Sequence, residues 1–232
     1  MKIEVLPQKK QLDYSQFIKR SAFEGDVSRL VTEPTTFVDE KGQPKIIYDH
    51  LDIENSSMVQ AIQTIKYHVG RRSRGLFSTS RIFGYRPRLT LRADYCSTTS
   101  LAVEYPKEHE LICDFGRKLT NIYFKHAPDL AKTHKEMTDS KTSKEWVIPG
   151  TVFTSGIINQ NNPLKYHFDT GNFKDVFSAM VVFKSGIGGG YLACPEYDMM
   201  FALPHNSVFL FDGQSILHGV TPIKRESPYS FR

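Results

Sequence analysis

Residues 151–222 read TVFTSGIINQNNPLKYHFDTGNFKDVFSAMVVFKSGIGGGYLACPEYDMMFALPHNSVFLFDGQSILHGVTP. Short apolar runs alternate here with turn-forming clusters such as Asn161-Asn162-Pro163, Thr170-Gly171-Asn172 and Asp212-Gly213-Gln214, which predicts a β-rich segment. Tyr166 to Phe168 reads as part of a strand. Residues i and i+2 of a strand share a face, so His167 and Asp169 project together with Phe168 opposite. A second strand, Ser207 to Phe211, and the Asp212–Gln214 turn lead to His218-Gly219-Val220.

Two imidazoles and one carboxylate leave three positions open on an octahedral ion. That arrangement suits a non-haem Fe(II) centre holding a co-substrate and O2. A structural zinc site closes its shell with four ligands, often cysteines. Cys96, Cys113 and Cys194 stand alone, without zinc-ribbon spacing. His-x-Asp also arises by chance, and a lone His is commonly a satisfied core or surface residue. The distal His after an apolar strand is what adds weight to His167, Asp169 and His218 as metal ligands.

Around these residues, Phe177 to Phe183 reads as a buried strand. Gly188-Gly189-Gly190 lacks a following Gly-Lys-Ser/Thr and reads as a tight turn, not a phosphate loop. Ser215 has no Gly-x-Ser-x-Gly elbow around it, which argues against a serine hydrolase. Upstream, Asp139 to Glu145 is a polar connector. Pro106 opens a helix over Lys107–His126 with the stripe Leu111, Phe115, Leu119, Ile122, and Pro128 begins a second helix ending near Thr138. His109, His126 and His134 are expected at the surface. Leu101–Tyr105 reads as a strand.

Residues 71–92, RRSRGLFSTSRIFGYRPRLTLR, hold seven arginines and no acidic residue, with Phe77, Phe83 and Tyr85 interleaved. Guanidinium groups capture phosphate and aromatic faces stack on bases, so this stretch is a candidate nucleic-acid contact through Arg81, Tyr85, Arg86 and Arg88. Asn55-Ser56-Ser57 caps a helix running to about Tyr67, with Met58, Ile62 and Ile65 on its core face. Val27–Asp39 and Pro44–His50 read as a hairpin, Tyr14–Phe23 as a helix capped by Asp13, and residues 1–12 as a short strand and a basic turn.

The 232 residues are 40% hydrophobic and 12% aromatic, as expected of a globular chain long enough for a sizeable core. No apolar run approaches the ~20 residues of a membrane span. MKIEVLPQKKQLDY lacks a signal-peptide core, and the isolated cysteines agree with a reducing interior, so an intracellular location is expected. The net charge of +5 is modest. These features predict one domain over residues 1–232. In it, a mainly β jelly roll (a double-stranded β-helix) over 146–232 is supported by helices and an N-terminal α/β elaboration over 1–145.

His167-Phe168-Asp169, Thr170-Gly171-Asn172, the Gly-Gly-Gly-Tyr-Leu turn and Phe211-Asp212-Gly213-Gln214 leading to His218-Gly219-Val220-Thr221-Pro222 together resemble 2-oxoglutarate/Fe(II) dioxygenases. More narrowly, the stretch is similar to the TET/JBP branch, especially its short phage and viral members, which oxidises the 5-methyl group of pyrimidines in DNA. The resemblance covers roughly residues 150–232, extends over Arg81–Pro106 and leaves the first seventy residues unmatched.

The resemblance implies that His167, Asp169 and His218 hold Fe(II), with 2-oxoglutarate and O2 as co-substrates. It implies an Arg after the distal His for the far carboxylate of 2-oxoglutarate: Arg232, with Arg225 the alternative. It suggests Asn159 as a second 2-oxoglutarate contact and Asn172 as a contact to the target base. DNA is the implied partner, its pyrimidine flipped out or single-stranded; neither a membrane nor a protein partner is expected. A phage-encoded chain would act in the host cytoplasm. An amide serves cytosine or thymine alike, so 5-methylcytosine and thymine both stay open. Two other readings remain: a 2-oxoglutarate hydroxylase of a protein side chain or small molecule, and a non-catalytic nucleic-acid-binding jelly roll.

Overall fold

Ser207–Phe211, Ser-Val-Phe-Leu-Phe, is buried at all five positions. A strand without alternation must be covered on both faces and paired on both edges, and the fold is arranged to do this. A computed structural model describes residues 1–67, 69–71, 77–87 and 96–225. In chain order it contains β1 (Lys2–Val5), α1 (Tyr14–Phe17), β2 (Arg29–Val31), β3 (Thr35–Val38), β4 (Pro44–His50), α2 (Ser56–Thr64), β5 (Val69–Arg71), β6 (Phe77–Pro87) and β7 (Cys96–Thr98). There follow α3 (Ser100–Glu104), α4 (Pro106–His126), α5 (Pro128–Lys141), β8 (Ser155–Asn159), β9 (Ser178–Val182), β10 (Ile187–Gly189), β11 (Leu192–Cys194), β12 (Met199–Phe201), β13 (Ser207–Phe211), β14 (Gly219–Val220) and β15 (Ile223–Arg225). No helix among the described residues is long and apolar enough to cross a membrane.

The chain divides into two compact units: Met1–Asp52 joined with the chain from Pro163 onward, and Ile53–Asn162. In the first unit, one sheet runs β1-β3-β4-β13-β9 and another β14-β11-β12-β2, with β10 and β15 as a separate pair. Phe37, Ile46, Tyr48, Phe209 and Phe211 of the first sheet share one buried cluster with Leu192, Met199 and Phe201 of the second. Phe201 is central to it, edge-on to Phe37 at 5.9 Å and to Phe209 at 4.7 Å between ring centroids. Two sheets closed over one aromatic core make the expected jelly roll.

The N-terminal strands belong to this core and do not stand outside it as a separate support. The apolar run Ile46-Ile47-Tyr48 of β4 is the antiparallel neighbour of β13, and β2 pairs in parallel with β12. The expected hairpin is therefore shorter. It joins β3 to β4 only, around Asp39, whose side chain accepts the amides of Lys41 and Gln43, both at 2.9 Å. β2 departs to the other sheet across Glu33-Pro34, where proline has no amide to give a ladder. Gly188 and Gly189 of the expected glycine turn lie instead in strand β10. Gly189 holds φ +67, and a Cβ there would lie 2.5 Å from the Pro222 carbonyl oxygen, so glycine lets β10 lie against β15.

In the second unit, β6 is a long strand pairing with β5, β7 and β8. Phe83 faces Gly156 across β6 and β8; a Cβ on Gly156 would meet the ring at 2.2 Å. Residues 101–104 of the expected strand form most of helix α3 instead, because Thr99 caps it, accepting the Ala102 amide at 3.4 Å. Helix α4 buries Ile112, Phe115, Gly116, Thr120 and Tyr123. The stripe is rotated by about a residue from the expected one, leaving Leu111 exposed. Small residues at 116 and 120 sit on the packed face of α4.

His134 on α5 is buried, contrary to expectation, with its ring edge-on to Tyr123 at 5.9 Å and to Phe153 at 5.6 Å. Burial pushes its pKa down to about 4 from 6.5. The unfolded chain therefore takes up the proton first as pH falls. Stability is full above 6.5, declines between 6.5 and about 4, and is then level. Between pH 7 and pH 5 this group should remove on the order of 2 kcal/mol. His134→Phe should flatten that part of the decline in thermal melts; an unchanged pH profile contradicts a neutral buried imidazole.

Candidate metal centre

The two arms that carry His167 and His218 are positioned by backbone bonds. The expected strand at 166–168 is reduced to one antiparallel bridge, His167 opposite His218. The His167 amide donates to the His218 carbonyl at 2.9 Å, and the His218 amide returns a bond at 3.1 Å. Residues opposite each other in an antiparallel pair project from the same face, and the two imidazole centroids lie 4.4 Å apart. The Val220 amide donates to Leu164 at 2.7 Å and the Asp169 amide to Gly213 at 2.8 Å, which fixes the flanks. Tyr166, fully buried, anchors the first arm through its hydroxyl to Asp26 at 3.0 Å.

Each imidazole uses Nδ1 against a carbonyl two residues upstream: His167 with Lys165 O at 2.7 Å and His218 with Ile216 O at 2.9 Å. A carbonyl only accepts, so Nδ1 carries a hydrogen in both rings, and Nε2 is the atom each ring in its neutral form offers to a metal. Those Nε2 atoms lie 3.5 Å and 3.8 Å from the two oxygens of Asp169. The three ligand atoms all fall within 4.8 Å of one another, and no other such cluster occurs among the described residues. Donors sharing one first-row ion at ~2.1 Å each lie roughly 3–4 Å apart, so the set fits a single metal.

The electrostatics agree with this. Burial, and then the neighbouring His167, push the His218 pKa down to about 4 against the opposing pull of Asp169. The imidazole is thus neutral, as a ligand must be. The His218 side chain is 6% exposed, against 32% for His167 and 34% for Asp169. An ion would therefore have protein on the His218 side and open coordination positions on the other.

Gly213 makes room for the carboxylate: a Cβ there would lie 2.5 Å from Asp169 Oδ2. Asn172 sits beside the centre. Its Nδ2 donates to Ser178 Oγ at 2.7 Å and reaches Asp169 Oδ2 at 3.4 Å. Sequence reading gave Gly213 only a turn and assigned Ser178 no role at the site, since only the fold brings them to Asp169.

The arginine-rich stretch is different from expectation at one position. Arg81 is buried within the second unit, donating to Glu104 at 2.9 Å and to the Lys66 carbonyl at 3.0 Å. It lies on the inward face of β6 with Phe83, so its guanidinium serves the interior and not a ligand. Tyr85 is half-buried, edge-on to Trp146 at 5.5 Å. Asn159 is the exposed last residue of β8, in the second unit, accepting from Asn162 at 3.4 Å. Arg86 and Arg225 lie in β6 and β15, their side chains outside the described part of the structure. Arg88 and Arg232 lie outside the described residues.

The family model for the Tet_JBP domain, the oxygenase domain of the 2OGFeDO superfamily, matches residues 88–232. The chain belongs to the Tet_JBP family. The resemblance read from residues 150–232 is borne out and extends further back. Among Tet_JBP relatives, the bifunctional helicase and thymine dioxygenase JBP2 of Leishmania braziliensis is 24% identical over 220 residues, 90% of this chain and 19% of that protein. JBP2 of Trypanosoma brucei brucei is 30% identical over 105 residues, covering 45% of this chain and 9% of the relative. The thymine dioxygenase JBP1 of Trypanosoma brucei brucei is 26% identical over 117 residues, 50% of this chain and 14% of the relative. The chain thus spans a fifth or less of the length of these curated relatives. The solved structure of NgTET1 in complex with 5mC DNA superposes with a TM-score of 0.56 at 13% identity, over 85% of this chain and 78% of that one, a likeness of fold.

Membership of the Tet_JBP family implies Fe(II) and 2-oxoglutarate, and the His-Asp-His donor set fits the ion. Gly213→Ala should weaken Fe(II) binding by at least ~10-fold while leaving the melting temperature nearly unchanged, because it displaces one ligand oxygen. Anaerobic calorimetric titration measures this; equal affinity in the variant contradicts the assigned role of Gly213.

Proposed function

We propose that this chain is an Fe(II)/2-oxoglutarate-dependent dioxygenase that hydroxylates the 5-methyl group of a pyrimidine in DNA. The products are a 5-hydroxymethylpyrimidine, succinate and CO2. The observation that carries the reading is the convergence of His167 Nε2, Asp169 and His218 Nε2 on one point in a Tet_JBP chain. Thymine is the favoured base, because the curated relatives matched by sequence are named thymine dioxygenases. 5-Methylcytosine is the alternative, the base named with NgTET1, which shares the fold.

Bound Fe(II) with 2-oxoglutarate supplies the oxidation: one atom of O2 enters the methyl C–H bond and the other enters succinate. The chain's own residues hold and orient. His167 and His218 present neutral Nε2 donors, fixed by their Nδ1 bonds, and Asp169 supplies the single negative charge. Arg232, or Arg225 in its place, pairs with the far carboxylate of 2-oxoglutarate. Asn172 lies next to the ligand carboxylate and contacts the target base. A methyl group stacked inside a duplex does not come close enough to such a centre, so the base is flipped out or presented single-stranded. Tyr85, Arg86 and Arg88 grip the strand, an attraction that weakens with salt. DNA as substrate makes the site of action intracellular.

Nucleoside mass spectrometry tests this on DNA carrying both thymine and 5-methylcytosine, incubated with Fe(II), 2-oxoglutarate and protein. We expect 5-hydroxymethyluracil, matched mole for mole by succinate and abolished in His167→Ala. Product from 5-methylcytosine alone would reassign the base. Fe(II)-dependent succinate release with no modified nucleoside contradicts a DNA substrate and favours a side-chain or small-molecule hydroxylase.

A further inference from the structure

Glu196 is fully buried, in the 3-10 turn Pro195–Tyr197 that joins β11 to β12. An ionised carboxylate in such a place is costly unless it is paired and hydrogen-bonded. Its Oε1 receives the Lys9 ammonium at 2.8 Å and the Tyr14 hydroxyl. Its Oε2 receives the Leu217 amide at 2.8 Å. The peptide that carries this amide is the one whose carbonyl, Ile216 O, accepts His218 Nδ1 at 2.9 Å.

A peptide is planar, with its N–H and C=O pointing opposite ways. A carboxylate on the N–H end therefore pushes electron density toward the carbonyl end and makes Ile216 O a stronger acceptor. Hydrogen bonds in such a chain reinforce one another. A stronger acceptor on Nδ1 makes Nε2 a better donor to metal, as a carboxylate bonded directly to a ligand histidine does.

His167 provides an internal comparison. Its Nδ1 uses the Lys165 carbonyl in the same way, but the amide on that peptide, Tyr166 N, donates to the neutral carbonyl of Arg20 at 3.0 Å. Only the His218 relay ends on a charge. Lys9 and Tyr14 hold that charge in place, and Lys9 also donates to the Ser215 carbonyl at 3.3 Å. Tyr14 further reaches the other arm, edge-on to Phe168 at 5.3 Å between His167 and Asp169.

We infer that Glu196 is a positioning residue that acts on His218 through the Ile216–Leu217 peptide, tuning how strongly that imidazole binds the metal. The inference rests on the metal site of the proposed function. Its test uses Co(II) as the probe ion, with affinity from calorimetry, visible absorption for the ligand field, and melting temperature for folding. Glu196→Gln keeps the reach and removes the charge; Glu196→Asp keeps the charge and withdraws it from the Leu217 amide. Tyr48→Phe, which removes a hydroxyl bond to the Thr32 carbonyl elsewhere in the same unit, is the control for stability loss alone.

Both Glu196 variants should weaken Co(II) binding by ~10- to 100-fold and shift its visible bands, while Tyr48→Phe leaves both unchanged. Should Glu196→Gln fail to fold, Glu196→Asp decides. Unchanged affinity and spectrum in a folded Glu196 variant overturn the relay and leave the metal site standing. Absence of Co(II) binding by the unaltered protein overturns the metal site and the relay with it.

Discussion

The amide of His167 donates to the carbonyl of His218, and the amide of His218 donates back. These residues are far apart in sequence, and this one bridge determines that their side chains leave the backbone side by side. Asp169 follows from it: two residues along, it is held by its own amide to Gly213 with its carboxylate facing both Nε2 atoms. Without the bridge, His218 would sit on a segment independent of the one that carries His167 and Asp169.

The jelly roll exists to hold that bridge rigid. β13 is buried throughout and ends at Phe211, whose ring stands perpendicular to His218 at 4.9 Å. The same aromatic core that closes the two sheets thus forms the inner wall of the metal centre. It keeps water from His218 and lowers that group's pKa, so that the imidazole stays neutral. Asp169 and His167, at the outer side, keep the access a co-substrate and O2 need. Glu196 supplies buried charge behind His218, where the apolar wall alone could not.

The candidate metal-binding cluster was legible because its chemistry is local. His-x-Asp, an apolar strand and a distal His are visible as residue types. The helix over 106–126 was legible from Pro106 and its periodicity. What sequence could not show were long-range decisions. Residues 29–31 look like the start of a hairpin, yet β12 offers them an edge and Pro34 separates them from β3. Arg81 looks like one more cation in a basic run, yet the pleat of β6 turns it inward to Glu104. Glu196 follows an apolar strand and gives no sign that Lys9, Tyr14 and Leu217 will meet it. His134 reads as one polar residue on a polar helix, and only the packing of Tyr123 and Phe153 around it shows that it is interior.

An anomalous difference map at the iron absorption edge, from crystals loaded anaerobically with Fe(II), bears most directly on the metal centre. One peak is expected, ~2.1 Å from His167 Nε2, from an Asp169 oxygen and from His218 Nε2, with no further protein ligand. A peak elsewhere, or none with both imidazoles and the carboxylate in the same places, would contradict an iron oxygenase in this chain.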